Sequence, residues 1–228
     1  MSLNWREIDL ILAELRLEGC HIQDAIQPDF KGLVLKLYRP GEPFQLFIGL
    51  SADASRLHRL TRPVAKPRTA QRFVELVRSR LRGGRIRSAA QIGRERTVSL
   101  EIERSGETSR LWVKLWGAAS NMLLTEADGT ILDAFYRRPK RGEASGGRFE
   151  APAERPSAAG VDDGFGPRPH PADSDFNDFI EASYGEKESA LLRQRLVREL
   201  EFVIDGSAEK RRVGGIRGKA QHQGESEQ

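Results

Sequence analysis

Between Ser55 and Ser88 the chain carries Arg56, Arg59, Arg62, Lys66, Arg68, Arg72, Arg78, Arg80, Arg82, Arg85 and Arg87, with Glu75 the only acid among them. The chemistry such a block offers is non-covalent. A planar guanidinium fork matches phosphate oxygens, and neutralising phosphates releases condensed counterions. The same arginines could form the solvated face of an ordinary helix. The scarcity of acids, and the continuation past the helix into Arg85 and Arg87, favour a nucleic-acid surface.

Covalent and metal chemistry find little support. The histidines, at 21, 58, 170 and 222, are scattered, and Cys20 is the only cysteine. There is no His-Glu-x-x-His, no cysteine pair and no acidic cluster with ligand spacing, so no metal is expected. No phosphate loop ending in Gly-Lys-Ser/Thr and no Gly-x-Ser-x-Gly elbow occurs. Gly83-Gly84 fits a helix stop better than a nucleotide loop. No catalytic residue and no cofactor is therefore assigned. A lone cysteine needs no oxidising compartment, and neither an export signal nor a long apolar run is visible, so the expectation is a cytoplasmic protein without a membrane role. The formal net charge is +4 over 228 residues, with a sequence pI near 9.4.

The elements that must position these residues follow from hydrophobic spacing. Asn4 with Glu7 resembles a capping box, and Trp5, Ile8, Ile11, Leu12 and Leu15 recur at helical spacing up to Gly19. The period then changes to two through Ile22 to Ile26, Leu33 to Leu37 and Phe44 to Ile48, an antiparallel meander. Pro67 to Thr69 introduce a second helix with Phe73, Leu76, Val77 and Leu81 facing inward and arginines outward. Alternating stretches at 85–92, 97–103, 110–116, 121–125 and 130–135 predict further strands, with Asp128-Gly129 as a hairpin turn. Of Trp112 and Trp116, at least one belongs in the core and the other could offer a stacking face. Ser120-Asn121 suits the satisfaction of backbone groups where a strand begins.

The fold class is thus α+β, a mostly antiparallel sheet domain with two helices over residues 1–151. Gly-, Ala- and Pro-rich sequence predicts a flexible linker over 152–172. Residues 173–204 predict an amphipathic helix, and 205–228 a disordered basic and polar tail. Leu192, Leu196 and Leu200 form a seam that could meet a coiled-coil partner.

Several strings, taken in order, resemble the N-terminal domain of the NFACT family, which includes bacterial RqcH and eukaryotic NEMF. They are Gly19-Cys20-His21-Ile22 through Ile26-Gln27-Pro28, then Ser55-Arg56-Leu57-His58, then the helix ending in Gly83-Gly84-Arg85-Ile86. The most specific is Gly117-Ala118-Ala119-Ser120-Asn121-Met122-Leu123-Leu124-Thr125. Phe179 to Glu201 resembles the beginning of the family's coiled-coil arm. A Pro/Gly/Ala linker stands where full-length members carry a helix-hairpin-helix region.

The resemblance implies a first domain folded like that of formamidopyrimidine-DNA glycosylases, binding to an obstructed large ribosomal subunit, and recruitment of tRNA so that the stalled chain is tailed. An Asp-Arg pair implicated in tRNA recognition corresponds to Glu95-Arg96, within Gly93-Arg94-Glu95-Arg96. The RNA-binding set expected on both grounds is Glu95, Arg96, Arg94, Arg56, Arg72, Arg78, Arg80, Arg82, Arg85 and Arg87. The partners implied are tRNA and large-subunit RNA. Bottom-up, Glu95 and Arg96 could equally be an ion pair at a strand turn. Two other functions are open to a chain of this kind. A DNA-glycosylase-like protein lacks support because Met1-Ser2-Leu3 supplies no Pro-Glu start. An adhesin of the kind the family's older fibronectin-binding label suggests would be expected to show an export signal or disulfides.

Overall fold

Asn4 begins the first helix in the way its side chain favours. The computed structural model describes residues 2–64, 71–152 and 166–190, together with 193, 194 and 196–198. Helix α1 (Trp5–Leu15) has both halves of the capping box: Asn4 accepts from the Glu7 N–H, and Glu7 accepts from the Asn4 N–H. Ile8, Ile11 and Leu15 are its buried face.

Nine strands follow: β1 (His21–Ile26), β2 (Gly32–Arg39), β3 (Glu42–Gly49), β4 (Arg56–Leu60), β5 (Arg85–Gln91), β6 (Thr97–Arg104), β7 (Glu107–Lys114), β8 (Asn121–Glu126) and β9 (Ile131–Ala134), with α2 (Arg72–Leu81) between β4 and β5. They form one antiparallel sheet in the order β4-β3-β2-β1-β5-β6-β7-β8-β9. This is the α+β architecture expected, a large antiparallel sheet with few helices.

The two halves of the sheet meet at a narrow seam, where β1 and β5 share the pair His21↔Arg85. Gly83 and Gly84 make that seam possible. Gly83 stops α2 with φ +82°, a left-handed conformation that favours glycine. Its N–H reaches the Ile22 carbonyl at 2.7 Å, and the Ile22 N–H reaches Gly84 at 2.9 Å. A Cβ on Gly84 would lie 2.7 Å from Ile102 Cγ2 and 3.0 Å from the Leu81 carbonyl, so any larger residue there would displace β6 or the end of α2.

Helix α2 packs on β1, β6 and β9, although β5 to β8 separate β1 from β9 in the sheet. The second half must therefore curl around the helix. That broad contact buries Phe73, Val74, Val77 and Leu81, leaving Leu76 half-buried. The inward set read from spacing alone is corrected at Val74 and Leu76.

The chain divides into two units, Met1–Glu181 and Ala182–Gln228. The described end of the expected linker, 166–172, lies within the first and is held on α1. Glu7 Oε1 accepts from the Arg168 N–H at 3.0 Å and from its Nε at 2.6 Å, while Asn4 Nδ2 donates to the Gly166 carbonyl at 2.9 Å. Seven residues along the same helix, Glu14 accepts from the Phe176 and Asn177 N–H groups at 2.9 and 3.0 Å. A carboxylate thus satisfies the orphan donors that begin the third helical run at 176.

That run also covers an exposed sheet edge. The outward N–H groups of Arg59 on β4 and of Thr61 just after it donate to Asn177 Oδ1 at 2.9 Å and to the Glu181 carboxylate at 3.0 Å, and Arg59 pairs with Asp175 at 2.9 Å. Unpaired edges invite pairing with other chains, and side chains here close this one. In the second unit residues 182–190 are helical; Leu196 is half exposed, and Leu192, Leu200 and the expected tail fall outside the described residues.

Candidate nucleic-acid interface

The arginine block is acid-poor along the chain but not in space. Arg72 pairs with Asp133 and donates to the Ala134 carbonyl at 3.1 Å. Arg78 reaches Asp24 at 3.2 Å, Glu75 at 3.0 Å and the Ala25 carbonyl at 2.7 Å, so it lies against β1 instead of pointing away. Arg80 stands 3.6 Å from Glu107, and Arg87 2.6 Å from Glu103. Apart from Glu75 on α2 itself, these acids come from strands β1, β6, β7 and β9. Arg82 and Arg85 are exposed and have no ion pair among the described residues. Lys66 and Arg68 lie outside them.

Arg56, expected to face phosphate, is interior at 2% exposure. Its guanidinium sits 4.8 Å over the Phe47 ring and donates to the Ala54 carbonyl at 3.2 Å. The reason is that β4 is buried on both faces: Leu57 and His58 are interior too. His58 Nδ1 lies 2.6 Å from the Arg59 carbonyl, which fixes that nitrogen as the donor and leaves Nε2 to face Arg56 Nε at 3.4 Å. Burial pushes the imidazole down to about 4, with the Arg56 cation adding to the shift, so it is neutral near pH 7. The Ser-Arg-x-His string is thus a packing motif.

Its serine, however, organises the surface. Ser55 Oγ is buried, donates to the Leu115 carbonyl at 3.1 Å and accepts from an Arg96 guanidinium nitrogen at 3.1 Å. Its own N–H donates to Ser2 Oγ at 3.1 Å, and its carbonyl accepts from the Leu3 N–H at 3.1 Å. The Leu115 N–H closes on the Arg96 carbonyl at 2.8 Å. The start of α1, the β3–β4 connection, the β5–β6 turn and the chain leaving β7 therefore meet at one point, with Arg96 on it.

Around that point stand aromatics and further cations. The Arg6 and Arg94 guanidinium carbons lie 4.9 and 5.2 Å from the Trp5 ring centroid. Trp116 is 43% exposed, its indole held 3.4 Å from Thr97 Oγ1. Trp112 is the core member of the pair, 6% exposed and donating to Thr125 Oγ1 at 3.1 Å. Glu95, Arg94 and Arg96 are all half-buried in the turn closed by the Glu95 N–H on the Ile92 carbonyl at 3.0 Å. The structure thus gathers Arg94, Glu95 and Arg96 with Trp5, Arg6 and Trp116, and places Arg72, Arg78, Arg80 and Arg87 in ion pairs elsewhere. Trp5 and Arg6 were absent from the expected set. The available signal was a tryptophan beside an arginine at the first turn of a helix whose apolar stripe begins at Ile8.

Of Ser120-Asn121, the asparagine satisfies backbone groups where β8 begins, while the Ser120 hydroxyl is buried without a hydrogen-bond partner among the described residues. Asn121 is fully buried; its amide donates to the Tyr136 carbonyl at 2.8 Å and to Glu143 at 2.7 Å, and its oxygen accepts from the Tyr136 N–H at 2.9 Å. Glu143 is also buried and pairs with Lys114 and, at 3.7 Å, Arg138. Among the described residues no group of three or more His, Cys, Asp or Glu could hold a metal ion, and no helix is long and apolar enough to cross a membrane.

A capped first helix, a seamed antiparallel sheet and a second helix ending in Gly-Gly define a β-rich α+β domain with a cationic, aromatic rim. The chain belongs to the NFACT family: the pattern for NFACT N-terminal and middle domains matches residues 8–153. Among solved structures it is similar to the N-terminal part of the fibronectin/fibrinogen-binding protein of Streptococcus suis, at 21% identity and a TM-score of 0.62, covering 68% of this chain and 62% of that one. It is also similar to the fibrinogen-binding protein of Staphylococcus aureus, at 23% identity and a TM-score of 0.59, covering 65% and 56%. The N-terminal domain of the fibronectin-binding protein PavA of Streptococcus pneumoniae matches at 22% and 0.62, covering 68% and 66%. The chain therefore spans less than two thirds of each of these structures, and identities at this level show a common fold. No curated protein matches the chain.

Proposed function

We propose that this chain is an RNA-binding factor of ribosome-associated quality control in the cytoplasm, binding tRNA and the obstructed large ribosomal subunit, without a covalent step of its own. The observation that carries this reading is the meeting of Arg96, Arg94 and Arg6 with Trp5 and Trp116 on one rim. Guanidinium groups and flat, partly exposed indoles are the pairing that RNA recognition uses. Family membership supports it, because the tRNA-recognition pair implied by the resemblance falls at Glu95-Arg96, on that rim. The matrix-protein binding named for the streptococcal and staphylococcal structures stays with those proteins, and the DNA-glycosylase reading gains no residue from this rim.

Purified chain is expected to co-sediment with large subunits that retain peptidyl-tRNA in preference to empty ones. Its binding to free tRNA should weaken about a hundredfold as salt rises from roughly 50 to roughly 200 mM, the slope for about four phosphate contacts. Salt-insensitive binding, or equal recovery with both particles, would count against the reading.

A further inference from the structure

The surface beyond Trp116 continues along the same rim. Arg138 donates to the Ala118 and Ala119 carbonyls at 3.3 and 3.0 Å, directly after Trp116 in the chain. Next to it, Tyr136 lies with its ring centroid 5.5 Å from the Arg138 guanidinium carbon, and its hydroxyl donates to the Phe30 carbonyl at 2.9 Å. The Phe30 loop returns to the first cluster, because the Leu50 N–H donates to the Lys31 carbonyl at 2.7 Å, just before the Ser55 connection.

Phe30 is 77% exposed, more than any other large apolar side chain described. Its loop is not slack: Asp29 Oδ1 accepts from the Lys31 N–H at 2.8 Å, and the neighbouring carbonyls are held by Tyr136 and Leu50. A pinned backbone thus presents an aromatic ring to water. The charge around it is cationic on the outside. Arg137 and Arg138 lean on Asp133 and Glu143, which are only 3% and 4% exposed, while Lys140 and Arg141 are exposed. Asp29 is the exposed carboxylate of this patch.

We infer that Phe30 and Tyr136, beside Arg138, form a stacking step for unpaired bases of an RNA strand whose backbone also passes the Arg96 and Trp116 cluster. The step rests on the RNA-binding reading above and extends it to the kind of RNA recognised. A duplex hides its base faces, whereas a single-stranded segment offers one to the exposed Phe30 ring and another to the half-buried Tyr136 ring beside it. An acidic peptide would meet the cations but brings no flat faces for the rings, which is why RNA is favoured.

The test uses the full chain with three probes: a tRNA, an unstructured oligouridylate, and an RNA duplex of the same length. Phe30→Ala should weaken oligouridylate binding about tenfold, within the range for loss of one base–aromatic stack, and duplex binding less than about twofold. Phe30→Trp should bind oligouridylate about as tightly as wild type, with quenching of indole emission beyond that seen in the wild-type chain, where Trp5 and Trp116 also face the RNA. Arg96→Ala should weaken binding to all three probes. If wild-type chain binds RNA but Phe30→Ala binds oligouridylate unchanged, or loses duplex equally, the stacking step is overturned and the RNA reading stands. If wild-type chain binds none of the probes, the RNA reading itself fails and the step falls with it.

Discussion

Replacing Glu7 with alanine lowers the free energy of unfolding by about 3 kcal/mol, the lower part of the range for breaking a buried ion pair. Glu7 is 1% exposed. One oxygen accepts from the backbone and side chain of Arg168, the other from Arg168 at 3.1 Å and the Asn4 N–H at 2.9 Å. The substitution therefore removes half a capping box and leaves a guanidinium, about one fifth exposed, without its carboxylate. Glu7→Gln should recover about 1 kcal/mol, since glutamine completes the box but carries no charge. Urea unfolding at neutral pH checks both. A Glu7→Ala loss below about 0.5 kcal/mol would mean that residues 166–168 are not held on α1.

Acid should destabilise the fold through His58 as pH falls below the ordinary histidine value. Burial raises the Asp9 carboxyl, which takes up its proton more readily in the folded chain and so does not add to that loss. The folded-state value of His58, about 4, lies below the ordinary 6.5. Between those values the unfolded chain binds a proton that the folded chain excludes, so stability falls as pH drops, by about 1.4 kcal/mol per unit. The loss reaches about 2 kcal/mol near pH 5 and levels off below about pH 4. Glu7 is not confounding: although burial alone would raise its carboxyl, the bonds from Arg168 and Asn4 hold it below its usual 4.5, so its contribution is lost only at lower pH. His58→Gln should flatten the difference in urea midpoint between about pH 7 and about pH 5. The same acid loss in the variant would show that another group is responsible.

Much of the fold was legible because it is local. The Asn4/Glu7 box, the Gly83-Gly84 stop and the alternation through β2, β3 and β6 act within a few residues, and these elements stand where spacing placed them, whereas β7 runs from Glu107 to Lys114 and not over 110–116. What escaped is long-range. Glu7 looked complete as a capping residue, and its second partner lies 161 residues away. The acids that neutralise Arg72, Arg80 and Arg87 sit on β9, β7 and β6, so charge counted along the chain overstated the field of α2 and β5. Arg56 was expected to face phosphate, but it packs with His58 against Phe47 of β3 and both are interior. Period-two spacing could not separate Trp112 from Trp116, because β7 ends at Lys114 and the alternation no longer applies at Trp116.

On the proposed function, RNA is expected to meet this domain at the rim around Arg96 and not along the arginines of α2 and β5. Equilibrium binding of tRNA at low salt to Arg96→Ala and Arg87→Ala tests it most directly. Arg87 already lies 2.6 Å from Glu103, so its loss should weaken binding less than about twofold. Arg96→Ala should weaken it about tenfold, as loss of one charge-assisted hydrogen-bonding group predicts. An Arg87→Ala loss equal to or larger than that of Arg96→Ala would contradict the account.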